Sequence, residues 1–372
     1  MMIRALSKVL VLVIFALPQF TGAQNVPDQL DEPALSAERA SQAALLDIAQ
    51  SENRLIAVGE RGVIITRDDG AQDWVQRSVP LSATLTAVAF NEAGVGISVG
   101  HDGVILRSPD RGESWEKITD GRDLFFKVIQ AADERFAAAE AALAEATDDT
   151  REDLEFALDD EDFRRETAQQ SLQYGPAWPF LDVTFSAPEV AWAVGAYGTF
   201  FRSEDAGKTW TLISDRIENF EDLHLNAILH TSSGDLVLAG EGGMLFHSAD
   251  GGESFERFDS YDGLSLFGLV EADGFVLAYG FGDSAQISID GGITWESVRF
   301  DDNHLLIGDL ELGAGRVGLL GGSGVMVELA ADGIAEVSRP TGTRAFLSGG
   351  VRLGSGETVF ISEAGITPAT GK

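Results

Sequence analysis

From Leu45 onward the chain is a succession of short apolar runs broken by glycine-bearing turns, and one stretch of it repeats as a unit. The unit reads as an apolar strand, a second strand ending in Gly, a G-x-x-G turn, a third strand, a polar turn and a fourth strand. Its fullest copy runs through 85–90, 94–100, the turn Gly100-His101-Asp102-Gly103, then 104–108 and 114–118. Units start near Leu45, Leu85, Phe180, Leu223, Leu264, Leu305 and Arg344. Successive starts lie 39 to 43 residues apart, except for 95 between Leu85 and Phe180, which implies an insertion in the second interval. A period of about 40 residues with four strands per unit is that of a β-propeller, in which radial closure disposes of sheet edges. The predicted fold is therefore all-β, a seven-bladed β-propeller over 45–372.

The polar turn between the third and fourth strands has its own signature, S/T-x-D-x-G followed by an aromatic residue. Five copies occur: Thr66, Asp68, Gly70 and Trp74; Ser108, Asp110, Gly112 and Trp115; Ser203, Asp205, Gly207 and Trp210; Ser248, Asp250, Gly252 and Phe255; Ser288, Asp290, Gly292 and Trp295. The hydroxyl and carboxylate can accept turn N–H groups, Gly supplies a positive φ, and the aromatic covers the turn as the next strand begins. A calcium loop would need further spaced oxygen ligands and a distal Glu, which no copy has, so these aspartates are expected to be structural. The last two units keep their strands and glycines (Gly321-Gly322-Ser323-Gly324, Gly365) without the box. The seventh has room for only three strands, and the segment 24–44 is expected to supply its outer one.

Residues 120–178 interrupt the period and turn to Ala, Glu, Asp and Arg. Phe125, Val128, Ile129, Ala132, Phe136, Ala139 and Leu143 recur at helical spacing, predicting a helix over about 123–146. A turn at 147–150 leads to a second helix, through Leu154, Leu158 and Phe163, reaching about 173. The insertion thus reads as a helical hairpin between the outer strand of blade two and the inner strand of blade three. Such connections emerge on the same face as the G-x-x-G turns. The hairpin, with Phe125 and Phe126, should stand beside the side chains those turns present: Glu60, Arg61, His101, Asp102, Tyr197, Glu241 and Phe281. Variable loops on a rigid scaffold are where binding residues concentrate. Either the hairpin's aromatics only pack the helices onto the propeller, or they form an arm for a partner.

The first residues carry Arg4 and Lys8, an apolar run over 9–17 and a small-residue site at 21–23. This predicts a signal peptide over 1–23, export, and a periplasmic location; the run is too short to span a bilayer. There is no Cys, so neither disulfides nor a thiol nucleophile are available. A net charge of −34 argues against nucleic acid or anionic lipid as a partner. It serves solubility or selects a basic partner.

Catalytic patterns are thin. The histidines (His101, His224, His230, His247, His304) show no ligand spacing, so no metal is expected, and no nucleophile elbow or helix-opening phosphate loop occurs. Boxes of this kind also occur in sialidases, whose Arg-Ile-Pro signature is missing from the first blade. No enzymatic activity and no cofactor are expected. A carbohydrate-binding or sialidase-like glycoside hydrolase propeller is the alternative.

The stretch Val99-Gly100-His101-Asp102-Gly103-Val104-Ile105-Leu106-Arg107-Ser108, and Ala193 to Gly198 running on to Arg202-Ser203, resemble the photosystem II stability/assembly factor family. The resemblance covers 45 to 365 apart from the insertion. It implies a non-enzymatic, monomeric, exported propeller that docks on a membrane-protein subunit while a complex is built. Family members use a basic, arginine-bearing surface, whereas this chain is acidic and carries the hairpin. In those respects it looks more like relatives from non-photosynthetic proteobacteria, for which an envelope exporter is an implied partner.

Overall fold

The computed structural model describes residues 28–171, 178–260, 263–331 and 333–370; the expected signal peptide lies outside them. Four sheets have four antiparallel strands each. Blade one is Leu45–Ser51, Arg54–Gly59, Ile64–Asp68 and Val75–Gln76. Blade two is Leu85–Phe90, Gly96–Gly100, Ile105–Ser108 and Glu116–Thr119; blade three is Phe180–Phe185, Ala191–Gly195, Phe200–Ser203 and Thr211–Leu212. Blade four is Leu225–His230, Leu236–Gly240, Met244–Ser248 and Glu256–Asp259.

Blades five and six form one six-stranded sheet because two long strands serve both. Phe275–Ser288 pairs by its first half with Leu266–Ala272 and by its second half with the start of Glu296–Glu311. The end of Glu296–Glu311 then pairs with Arg316–Gly321 as the inner strand of blade six, followed by Met326–Ala330 and Gly333–Ser338. Blade seven has three strands, Leu347–Arg352, Thr358–Ser362 and Gly365–Pro368. The seven repeat units read from the sequence are thus consistent with the described sheets.

The burial patterns explain why the second strand of each unit lacks alternation. Gly96–Gly100, Ala191–Gly195 and Leu236–Gly240 are buried at every residue, since a blade is covered on both sides by its neighbours. Apolar clusters accordingly lie between blades. Ile56, Val58 and Ile64 of blade one meet Leu85, Val104 and Leu106 of blade two. The ring closes in the same way: Leu45, Leu55 and Ile65 of blade one meet Leu353, Val359 and Ile361 of blade seven.

Four of the five boxes form the expected turn with one bonding scheme. In the second copy Ser108 Oγ donates to Asp110 (2.9 Å) and accepts from Gly112 N (2.8 Å), while Asp110 also accepts from Ser114 N and Ser114 Oγ (2.9 and 2.6 Å). Trp115 Nε1 donates to the Gly112 carbonyl at 3.2 Å, closing the turn under the ring. Burial pushes Asp110 and Asp205 up, but the hydroxyl and N–H donors outweigh it and hold both below the usual carboxylate range; Asp290, under the same opposition, sits at about 2. The first copy departs. Asp68 is bound by Arg54 Nε at 2.6 Å, and the Thr66 hydroxyl accepts from Arg77 Nε at 2.7 Å. Its turn is one residue longer before Trp74, and Asp73 stands where the other copies place Ser or Thr, so Asp68 has no hydroxyl to bridge.

Residues 28–44 contain no strand, and the outer strand expected of this segment on blade seven is not found within them. The first part of the segment follows blade one: Gln76 bonds through its side chain to Leu35 O and Ala37 N, and Ala34 N bonds to Val79 O. Its end lies along the outer strand of blade seven without strand pairing: a Cβ on Gly365 would run into Ser41 O, and Ala40 and Ala43 pack with Ile366. Leu30 is buried with the core shared by blades one and two. Arg122 holds Asp31 at 2.8 Å and Asp120 at 2.6 Å, tethering this segment to the base of the hairpin. Apolar burial and paired charge near blade two thus outcompete strand addition, for which Pro33 lacks a donor.

Candidate functional site

The hairpin comprises α1, Gly121–Ala144, and α2, Arg151–Ser171. Asp120 caps α1 by accepting from Arg122 N at 3.0 Å. The entry is tight: a Cβ on Gly103, in the turn of blade two at φ +66°, would lie 2.7 Å from Gly121 Cα. Helix α1 therefore starts directly on a G-x-x-G turn, on the face the connection rule assigns it. Lys127 Nζ reaches Trp210 O at 2.6 Å, and Arg164 of α2 reaches Phe220 O at 2.5 Å, so the hairpin leans over blade three toward blade four.

The two phenylalanines at the start of α1 part company. Phe125 is 4 % exposed and stacks on Trp178 with ring centroids 4.7 Å apart, whereas Phe126 is 65 % exposed. From Trp178 the aromatic row continues to Tyr197 (6.4 Å) and on to His224 (4.9 Å). Tyr197 is 57 % exposed at φ +56°, a left-handed conformation uncommon for a bulky side chain. Arg61, Asp102 and Ser323 hold the same conformation at the same turn position, so the turn forces whichever side chain it carries outward. Phe281 is half-exposed and packs edge-on against Phe267 at 5.0 Å, away from the row.

The acidic residues of these turns have local partners. Glu60 Oε1 accepts from Ala44 N, and Glu241 Oε2 accepts from His224 N, both at 3.2 Å. Each braces the entry to the inner strand of its own blade. Asp102 accepts from Gln29 of the N-terminal segment, and burial raises its pKa. Arg61 and His101 stay exposed. Of the residues singled out in the sequence, Phe125 and Tyr197 therefore belong to one aromatic row, buried at Phe125 and exposed at Tyr197. Trp178, which links them, and His224, which extends the row, carried no motif.

The sequence also gave no sign of the central channel. It encloses about 260 Å³ and is lined by the inner strands of all seven blades, including Asp47, Asp182 and Asp309. Among the described residues, polar side chains lining the channel tie blade to blade at six of the seven junctions. Asp47 accepts from Ile48 N and from Val88 N of blade two, both at 2.7 Å. Asp182 accepts from Val183 N (2.7 Å) and from Ile228 N of blade four (2.8 Å). Thr86 and Asn226 donate forward to Phe180 O and Leu266 O, both at 2.8 Å, and Ser348 Oγ donates to Leu45 O at 2.6 Å across the ring closure. Tyr279 O–H of blade five donates to Asp309 Oδ2 of blade six at 2.6 Å.

Burial, reinforced by the nearby Asp47 and Asp309 charges, pushes Asp182 up to about 8; burial pushes Asp309 to about 6 and raises Asp47. Burial and the Asp309 charge also push the Tyr279 phenol well above its ordinary value, the wrong direction for a nucleophile. The lining holds no Arg or Lys, so a carboxylate-bearing sugar would meet only negative or neutral groups. Among the described residues no group of three His, Asp or Glu side chains is placed to hold a metal ion.

A family model described as photosynthesis system II assembly factor YCF48 matches residues 164–265, and a BNR/Asp-box repeat model matches 286–297, over the fifth box. No curated protein matches the chain. Among solved structures, YCF48 bound to a D1 peptide aligns with a TM-score of 0.58 at 16% identity, over 89% of this chain and 94% of that one. YCF48 from Cyanidioschyzon merolae gives 0.57 at 14%, over 90% and 96%. Virginiamycin B lyase from Staphylococcus aureus gives 0.64 at 12%, over 92% and 99%. Identities this low speak for the fold alone. The chain is a β-propeller resembling the photosystem II assembly factors.

Proposed function

We propose that this chain is an exported, non-enzymatic propeller that binds a membrane-protein subunit through the glycine-turn face and acts in the periplasm as an assembly scaffold. The observation that carries the reading is the aromatic row from Phe125 through Trp178 and Tyr197 to His224. Its outer members stand on a rigid ring, with exposed Phe126 and Phe220 on the same flank. Amphipathic aromatics held rigidly give large contact area at little entropic cost. The structural neighbour that holds a D1 peptide supports a propeller of this kind taking a segment of a membrane protein. The acidic surface and the hairpin favour a subunit other than a reaction-centre core protein, with envelope exporters among the candidates. The lyase neighbour does not favour catalysis here, because Asp47 and Asp182 are committed to backbone N–H groups, Asp309 is bound by the Tyr279 hydroxyl, and burial raises that phenol's pKa.

The test is retention of a solubilised membrane complex from the native envelope by the immobilised full-length chain, compared with Tyr197→Ala. Retention that weakens at least tenfold in the variant supports the assignment. Equal retention by both chains, or turnover in a fluorogenic glycoside screen, overturns it.

A further inference from the structure

The outer surface of α2 has features the propeller does not need. Phe156 and Phe163 are 76 % and 70 % exposed on a helix whose inner stripe, with Leu154, Leu158 and Ala168, faces the rest of the protein. They stand seven residues apart, so both rings project from one side of the helix two turns apart. Glu152, Asp153, Asp159 and Asp160 flank them on the same side, three or four residues from one ring or the other. Two large rings in water amid carboxylates do nothing for the stability of this chain.

The charge of the hairpin is sorted. Residues 121–171 contain fifteen acidic and six basic side chains. In α2 every cation is engaged: Arg151 with Glu155, Arg164 with Asp160 and the Phe220 carbonyl, and Arg165 with Asp162 while lying 3.6 Å over the Phe136 ring. Glu152, Asp153 and Asp159 make no ion pair among the described residues. The outward stripe is therefore apolar at its centre and negative at its edges.

We infer that α2 is a docking helix for a cationic amphipathic helix of a partner protein, which would pack an apolar seam on Phe156 and Phe163 and place Lys or Arg beside Glu152, Asp153 and Asp159. Charge complementarity selects this occupant. A second copy of this chain, at net charge −34, would be repelled, and so would an anionic lipid surface. The spacing of seven is that of one seam position in successive heptads of paired helices, with flanking charges setting partner choice.

This inference rests on the partner-binding reading and refines it, so the experiment separates the two. The probe is a labelled 18-residue helical peptide of Leu and Lys, titrated by fluorescence anisotropy into the full chain, beside a matched Leu and Glu peptide and anionic vesicles. Three variants are compared with the native chain: Phe156→Ser with Phe163→Ser, Glu152→Gln with Asp153→Asn and Asp159→Asn, and Ile289→Ser as a control at an exposed position of the fifth box turn, on the opposite face. The Lys peptide should bind, the phenylalanine pair should weaken it at least tenfold, the neutralised variant should flatten its salt dependence, and the control should change nothing. Equal affinity for native and phenylalanine-pair chains, binding of the Glu peptide, or preference for the vesicles would overturn the inference. Should the membrane complex still be lost with Tyr197→Ala while the peptide ignores α2, the scaffold reading stands and this one falls.

Discussion

Replacing Asp182 by Asn probes the buried carboxylates of the channel, because the native and variant stability curves should cross. Asp182 is taken up to about 8, mainly by burial, while in the unfolded chain it returns to near its ordinary value of 3.8. The raised pKa means that the native state holds a proton the unfolded state has released. Its contribution is fully present below pH 3.8, falls as pH rises, and is lost by the time pH passes about 8. Each unit within that window costs about 1.4 kcal/mol, so raising pH from 5 to 8 removes up to about 4 kcal/mol through this group. Asp309 adds to the fall until about pH 6. Asn cannot ionise, so the variant should lose this slope. It offers only one acceptor oxygen to the N–H groups of Val183 and Ile228, which costs about 1–3 kcal/mol at low pH. Urea midpoints should therefore place Asp182→Asn below the native chain at pH 5 and above it at pH 9. Titration of the many surface carboxylates is common to both chains and cancels in the comparison. Parallel curves across that range would refute a neutral, buried Asp182.

Five other substitutions test the boxes, the hairpin's seat and the ring closure, each read from urea unfolding. Asp110→Ala should destabilise by about 2 kcal/mol by removing the acceptor of the box, whereas Asp68→Ala should cost less than about 1, since its exposed carboxylate, among the described residues, bonds only to Arg54; equal losses would contradict the distinction between the first copy and the others. Phe125→Ala should cost about 3 kcal/mol by opening a cavity under Trp178, while Phe126→Ser should stay within about 0.5 of the native chain. Ser348→Ala removes the hydroxyl that bonds Leu45 O across the closure and should cost about 1–2 kcal/mol; no change would mean that the apolar contacts and the Arg67–Glu357 ion pair hold blade seven to blade one without it.

The parts legible in the sequence are those whose determinants sit close together along the chain. A box needs a hydroxyl, a carboxylate and a glycine within five residues, so Ser108 to Gly112 could be read directly. The first copy shows the limit of such reading: its residue types match, but one extra residue before Trp74 hands Asp68 to Arg54. The hairpin was visible because Phe125, Ala132 and Phe136 recur at helical spacing. The division between Phe125 and Phe126 was not, because it depends on where Trp178 arrives from beyond the hairpin.

By itself the sequence determined the period, the strand order, the box turns and the face from which the insertion leaves, all of which follow from local spacing and the sense of each connection. Tertiary structure alone decided what meets across the ring. It set Asp47 and Asp182 against the N–H groups of neighbouring blades, laid the start of 28–44 along blade one and its end against blade seven, and joined Phe125, Trp178, Tyr197 and His224 into one aromatic row. The reason is physical: burial, ring contacts and hydrogen bonding at these places depend on groups far apart along the chain, and a linear pattern carries the chemistry of each group without its partner.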